Sequence, residues 1–206
     1  MVHPTIETSA SSATSSFMPS SSTEYVDGSS QEIVREQIGV ARTILTQAVE
    51  LLDKHLMSDE QLTVHSKYLP GSTIGKHLRH ARDHYTLLLD CIQSAPPRVL
   101  SYDTRIRNTP METSREGART ALLETIKRLE EVVPTAKFEE EITLHAITPH
   151  MHSFQTTIGR ELWFASLHCV HHWSMVRVIS GELGIQLAED FGFAPSTLVY
   201  QGESKQ

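Results

Sequence analysis

The chain has 206 residues, 39% of them hydrophobic and 21% charged, with a formal net charge of −7 when histidine is neutral. That size allows one domain with a real core. The acidic balance, with no Lys/Arg-rich patch, argues against nucleic acid as a partner. The longest apolar segments are broken by charge and histidine, which argues against a membrane span.

The first 30 residues hold ten serines, four threonines, three acids and no lysine or arginine. Such a segment cannot bury enough apolar surface to offset its ordering entropy. It fits neither a secretory signal nor a mitochondrial presequence. Residues 1–30 are therefore expected to be a disordered, phosphorylatable tail on a cytoplasmic protein, and residues 31–206 the folded domain. Cys91 and Cys169 are the two cysteines. Both fall inside predicted helices and read as reduced, buried thiols.

The first helix is predicted from Gln31 to Leu56, with Ser29 and Glu32 as a capping box. Val34, Ile38, Ala41, Leu45, Ala48 and Leu52 form its apolar stripe. Pro70-Gly71 turns the chain, and Ser72 or Thr73 caps a second helix over Ile74 to Ile92. Pro96-Pro97 stops that helix. Val99 to Thr113 reads as a loop too polar for the core. A third helix is expected over Ser114 to Val133, with Ala118, Leu122, Ile126, Leu129 and Val133 inward. Glu139 to Pro149 alternates weakly, as a short strand or extended loop would. The fourth helix begins near Thr156 or Thr157 and runs to Ser180. Gly181 to Gly192 is expected to be a turn with one helical segment, leading to a polar end. Four helices without βαβ alternation predict an all-α four-helix bundle.

Histidines gather on the second and fourth helices. The second carries His77, His80 and His84; the fourth carries His168, His171 and His172. Spacings of three and four residues stack side chains on one helix face. His77, His80 and His84 lie on the shoulder of their helix's apolar stripe. His168, His172 and Glu161 face inward on the fourth helix, while His171 points more to the side. A single inward histidine is ordinarily a hydrogen-bonded core residue. Several neutral imidazoles packed together would each need a polar partner in a dry core, and protonating them would add like-charge repulsion. A divalent metal resolves both problems, because neutral imidazole is its natural ligand.

These residues resemble the DinB/YfiT-like superfamily, four-helix bundles taken to be metalloenzymes. In that family one ligand comes from the second helix, in a pattern similar to S-x(7)-H-L-x-D, and two come from an HxxxH on the last long helix. Thr73 with His80-Ala-Arg-Asp83 matches the first pattern, with Ala81 and Arg82 departing from the usual Leu-x. His168-Cys-Val-His171-His172 contains the second. Further segments resemble one branch of the family: Thr73 to His84, Tyr102 to Arg105, Gly159 to Leu162 and Asp190 to Thr197. The resemblance implies His80, His168 and His172 as metal ligands. His77, His84 and His171 are extra to it; His77 and His84 stand as hydrogen-bonding partners behind the ligands, as substrate contacts, or as an additional or replacement ligand, and His171 as a secondary or substrate-side residue.

Three nitrogen ligands leave a coordination position open, as in a catalytic site. Relatives implied by the resemblance include thiol S-transferases, thiol-dependent isomerases and the amino-terminal half of ergothioneine-forming sulfoxide synthases. The expected function is thus a metal-dependent transferase acting on a small molecule, with zinc or nickel as cofactor and a thiol as one substrate. Metal-assisted hydrolysis, a non-catalytic metal-binding stress-associated bundle and an interaction module built on the serine-rich tail are the alternatives. Glu161 is a candidate general base or partner of a ligand, or else simply ion-paired to Arg79, Arg82 or Arg160. Tyr102, Asp103, Arg105 and Arg107 form a candidate anion-binding segment, or a loop held by ion pairs. Trp163, Leu167, Val170 and Trp173 put apolar groups on several sides of the fourth helix, which is then either central or part of a homodimer interface.

Overall fold

The computed structural model describes residues 29–198; residues 1–28 of the expected tail and the last eight residues lie outside the described region. Four long helices carry the fold: α1 (Ser30–Glu50), α2 (Ile74–Gln93), α3 (Arg115–Val132) and α4 (Ile158–Glu182). Each buries its apolar stripe. Ala41, Leu45, Ala48 and Leu52 from the first helical segment meet Leu78, Ala81, Tyr85 and Leu88 of α2, Leu122 and Leu129 of α3, and Leu162, Ala165 and Val176 of α4 in one core. Val34 and Ile38 are only partly buried against it. The helix pair with the most extensive contact is α2 with α4.

Caps explain where these helices begin. Thr73 accepts from the Lys76 N–H, Ser114 from the Gly117 N–H and Thr157 from the Arg160 N–H. At α1 the expected capping box does not form: Ser29 is the capping residue but makes no side-chain bond. The end of α1 widens into a single π turn at Leu51–His55, so the helical path reaches close to the expected Leu56.

The all-α expectation needs correcting. Between α2 and α4 the chain builds a three-stranded sheet from β1 (Val99–Ser101), β2 (Glu141–Ile147) and β3 (Met151–Thr157). β1 runs parallel to β2 with Leu100 opposite Leu144, and β2 pairs antiparallel with β3 from Glu141↔Thr157 to Ile147↔Met151. The segment 99–113 is also less polar in effect than its composition suggests, because Leu100, Met111 and Glu112 are all buried. Thr157 is both the last residue of β3 and the cap of α4, so the hairpin feeds directly into the helix that bears His168 and His172. Among the described residues Gly181 to Gly192 contains turns but no further helix beyond the end of α4.

Several motif residues turn out to be architectural. Gly75 lies against the Glu112 backbone, where a Cβ would overlap the Glu112 carbonyl. One turn on, Arg79 pairs with Asp83 at 2.8 Å and with Glu112 at 3.3 Å, all three largely buried. Asp83 thereby fixes the cation that ties α2 to the turn at Pro110–Glu112. Near the C-terminus, Gly192 has φ +73° and lies close to the Trp173 backbone, while Phe191 stacks on the Trp173 ring at 6.3 Å. Trp173 donates its indole N–H to the Ile44 carbonyl at 2.8 Å, locking α4 to α1.

The close approach at Gly75 makes a direct prediction. Gly75→Ala should destabilise the protein by about 1–3 kcal/mol through overpacking, read as a fall in the denaturant midpoint at unchanged slope. An unchanged midpoint would mean that the α2–Glu112 contact is not tight.

Candidate metal centre

The seam between α2 and α4 gathers the imidazoles. His80, His84 and His168 each offer a ring nitrogen to a common group within 4.8 Å of one another. His168 is the pivot: its Nε2 lies 3.4 Å from His80 Nε2 and 3.0 Å from His172 Nε2. His172 in turn faces His77, Nδ1 to Nδ1, at 2.7 Å. His171 is exposed, its ring 6.2 Å from that of His168 and 5.2 Å from that of His172. The structure thus brings His77, His80, His84, His168 and His172 together and leaves His171 at the side.

Burial dictates the charge state of this cluster. Desolvation lowers the pKa of His77, His80, His84 and His168 from 6.5 to about 4, with neighbouring positive charge adding to the effect at each. At His172 the same causes lower it to about 2. All five rings are neutral near pH 7, the state in which imidazole binds a metal. Tautomers follow from the partners. His84 Nδ1 faces the His80 carbonyl at 3.1 Å. A carbonyl can only accept, so His84 carries its proton on Nδ1 and leaves the Nε2 lone pair free.

The donor set fits a metal. Nitrogens bound at about 2.0–2.1 Å to a tetrahedral zinc stand roughly 3.3–3.4 Å apart, and closer in an octahedral shell. The His80–His168 and His168–His172 separations match that spacing. Among the described residues the three histidines whose nitrogens all lie within 4.8 Å of one another are His80, His84 and His168, and His172 adjoins this group through His168.

One wall of the site is aromatic. His84 lies between two rings, stacked on Tyr102 at 4.5 Å and on His168 at 3.8 Å. Phe164 adjoins both Tyr102 and His168. Tyr102 is held by Glu161, which is 0% exposed. The tyrosine hydroxyl donates to Glu161 Oε2 at 3.0 Å, while Thr156 and Arg160 each donate to Oε1 at 2.7 Å. Burial and the Glu161 charge push the Tyr102 pKa far up, so the phenol keeps its proton. Of the arginines named as ion-pair alternatives for Glu161, Arg160 is the one that pairs with it.

Asp103 accepts from the Ile147 N–H at 3.0 Å and so serves the sheet. Arg105 and Arg107 are exposed and make no ion pair among the described residues. Positive charge from Arg105 contributes to the lowered pKa of His80 and His84. Both cysteines are free and buried, and desolvation raises each thiol pKa. The roles of Thr156 and Phe164 escaped the sequence reading. Thr156 was visible only as a helix-start candidate, and no spacing rule links β3 or Tyr102 to Glu161.

Residues 37–176 match a family model described as the DinB superfamily. A protein named FK506-binding protein 5 from Rhizopus delemar is 31% identical over 173 residues, covering 82% of this chain and 39% of that protein. The chain therefore spans about two fifths of the length of this curated relative. No solved structure matches it. No helix among the described residues is long and apolar enough to cross a membrane.

The depressed histidine pKa values fix the sign of a pH effect. The unfolded chain takes up protons near 6.5, while the folded cluster resists them until about 4. Stability is therefore full above the unfolded value and falls as pH drops through the window from 6.5 towards 4. The thermal midpoint of metal-free protein should fall between about pH 7.5 and pH 5, and fall less in a His168→Asn/His172→Asn double variant. Equal losses in the two proteins would contradict a cluster held neutral by burial.

Proposed function

The chain belongs to the DinB superfamily, and on that premise we propose that it is a metal-dependent transferase of the thiol S-transferase type acting on a small molecule. His80, His168 and His172 hold a divalent metal, zinc or nickel, across the seam between α2 and α4. The observation that carries this reading is the position of His168 Nε2, at ligand-like distance from both His80 Nε2 and His172 Nε2. A divalent metal bound there lowers the pKa of a thiol or water and keeps it as a nucleophile at neutral pH.

The nucleophile comes from outside the chain. Cys91 and Cys169 are buried with raised pKa values, so neither supplies a thiolate. A small-molecule thiol is the leading candidate, and water, which gives a hydrolase, is the next. Glu161 has both oxygens occupied and acts as a positioning residue: it holds the Tyr102 ring flat against His84. Arg105, exposed and within electrostatic reach of His80 and His84, offers a cation for an anionic end of the substrate.

One observation favours a second reading. His84 belongs to the same group as His80 and His168, and a fourth imidazole on the metal would close the site and make the protein a metal-binding bundle without turnover. Metal analysis of dialysed, untagged protein separates the two. The open site predicts about one equivalent of metal, lost in His168→Ala and kept in His84→Ala. Loss in both variants would make His84 a ligand, and loss in His172→Ala as well would support the closed site. A wild-type protein that takes up no zinc or nickel on reconstitution would overturn both readings.

A further inference from the structure

The contact between His77 and His172 is more constrained than the others in the cluster. Two ring nitrogens facing each other at 2.7 Å share a single proton: two lone pairs would repel, and two N–H groups would clash. Only two arrangements remain. In the first, His77 donates from Nδ1, and His172 must then carry its own proton on Nε2. That proton would point at His168 Nε2, 3.0 Å away, and would block both nitrogens from a common metal. In the second, His172 donates from Nδ1 to His77, leaving the His172 Nε2 lone pair beside that of His168. His77 then carries its proton on Nε2.

In either arrangement the contact with His172 is the only polar partner of the His77 ring among the described residues. His77 Nε2 is buried without a hydrogen-bond partner among the described residues. Its other nitrogen, in contrast, is held in a short contact with His172. His77 belongs to α2 and His172 to α4, so this contact also sets the rotation of one helix face against the other.

Building on the ligand set proposed above, we infer that His77 is a positioning residue for the metal centre, accepting the His172 Nδ1–H and so fixing the tautomer that presents His172 Nε2 to the metal. It does not itself bind the metal. The function is that of a carboxylate or carbonyl behind a metal-bound histidine, carried out here by a second imidazole.

The test uses the full chain and zinc alone, with affinity measured by chelator competition. His77→Leu removes the acceptor and should weaken zinc binding about 10–100-fold. His77→Asn returns a carbonyl oxygen close to the Nδ1 position and should recover most of that loss. Nitrogen-15 imidazole spectra of zinc-loaded wild type should show His172 protonated on Nδ1 and His77 on Nε2, a readout that does not depend on any variant folding. His172→Ala serves as the control. If it leaves affinity unchanged, the ligand set itself is wrong and the inference falls with it. If His172→Ala loses zinc while His77→Leu does not, or the spectra show His77 protonated on Nδ1, the role of His77 alone is overturned.

Discussion

Five neutral imidazoles in a half-dry seam between two helices are a standing cost to this fold. Each ring brings one donor and one acceptor, and the seam provides few complementary groups. The contacts found are therefore mostly imidazole to imidazole, at 2.7, 3.0 and 3.4 Å. At the 3.0 and 3.4 Å contacts, nitrogens that face each other lone pair to lone pair gain nothing. A divalent metal converts the same lone pairs into bonds. Much else in the structure reads as support for keeping α2 and α4 at the separation this requires.

That support is distributed along the chain. Gly75 allows α2 to approach the turn at Glu112, and Arg79 ties the two together through Asp83 and Glu112. Trp173, one residue after His172, is anchored to the Ile44 carbonyl and covered by Phe191. The small sheet adds the third restraint. It delivers Tyr102 to the face of His84 and Thr156 to Glu161, so the buried carboxylate organises the aromatic wall without touching the cluster.

The helices were legible in the sequence because their stripes repeat at helical spacing and their caps are threonine or serine. The four apolar stripes fall inward much as the periodicity requires. The sheet was not legible for a physical reason. β3 reads Met-His-Ser-Phe-Gln-Thr-Thr and is exposed over most of its length, so no buried face imposes a period of two. β1 is three residues long, with only Leu100 fully inward. Helical spacing placed His77, His80, His84, His168 and His172 on converging faces, yet angle around a helix carries no depth. It therefore could not rank His84 against His172, nor foresee that His77 would meet His172 rather than His80 or His168. Arg160 beside Glu161 was the visible partner, whereas Tyr102 and Thr156 come from segments 59 and 5 residues away that no local pattern connects to it.

The central claim is that imidazoles from α2 and α4 hold one divalent metal in common. X-ray absorption spectroscopy of the zinc-loaded full chain tests it most directly. The account predicts a first shell of nitrogen and oxygen at about 2.0–2.1 Å, with the multiple-scattering pattern of three imidazoles and a further light atom at the open position. A sulfur scatterer from the protein at about 2.3 Å, or a shell with fewer than two imidazoles, would contradict it.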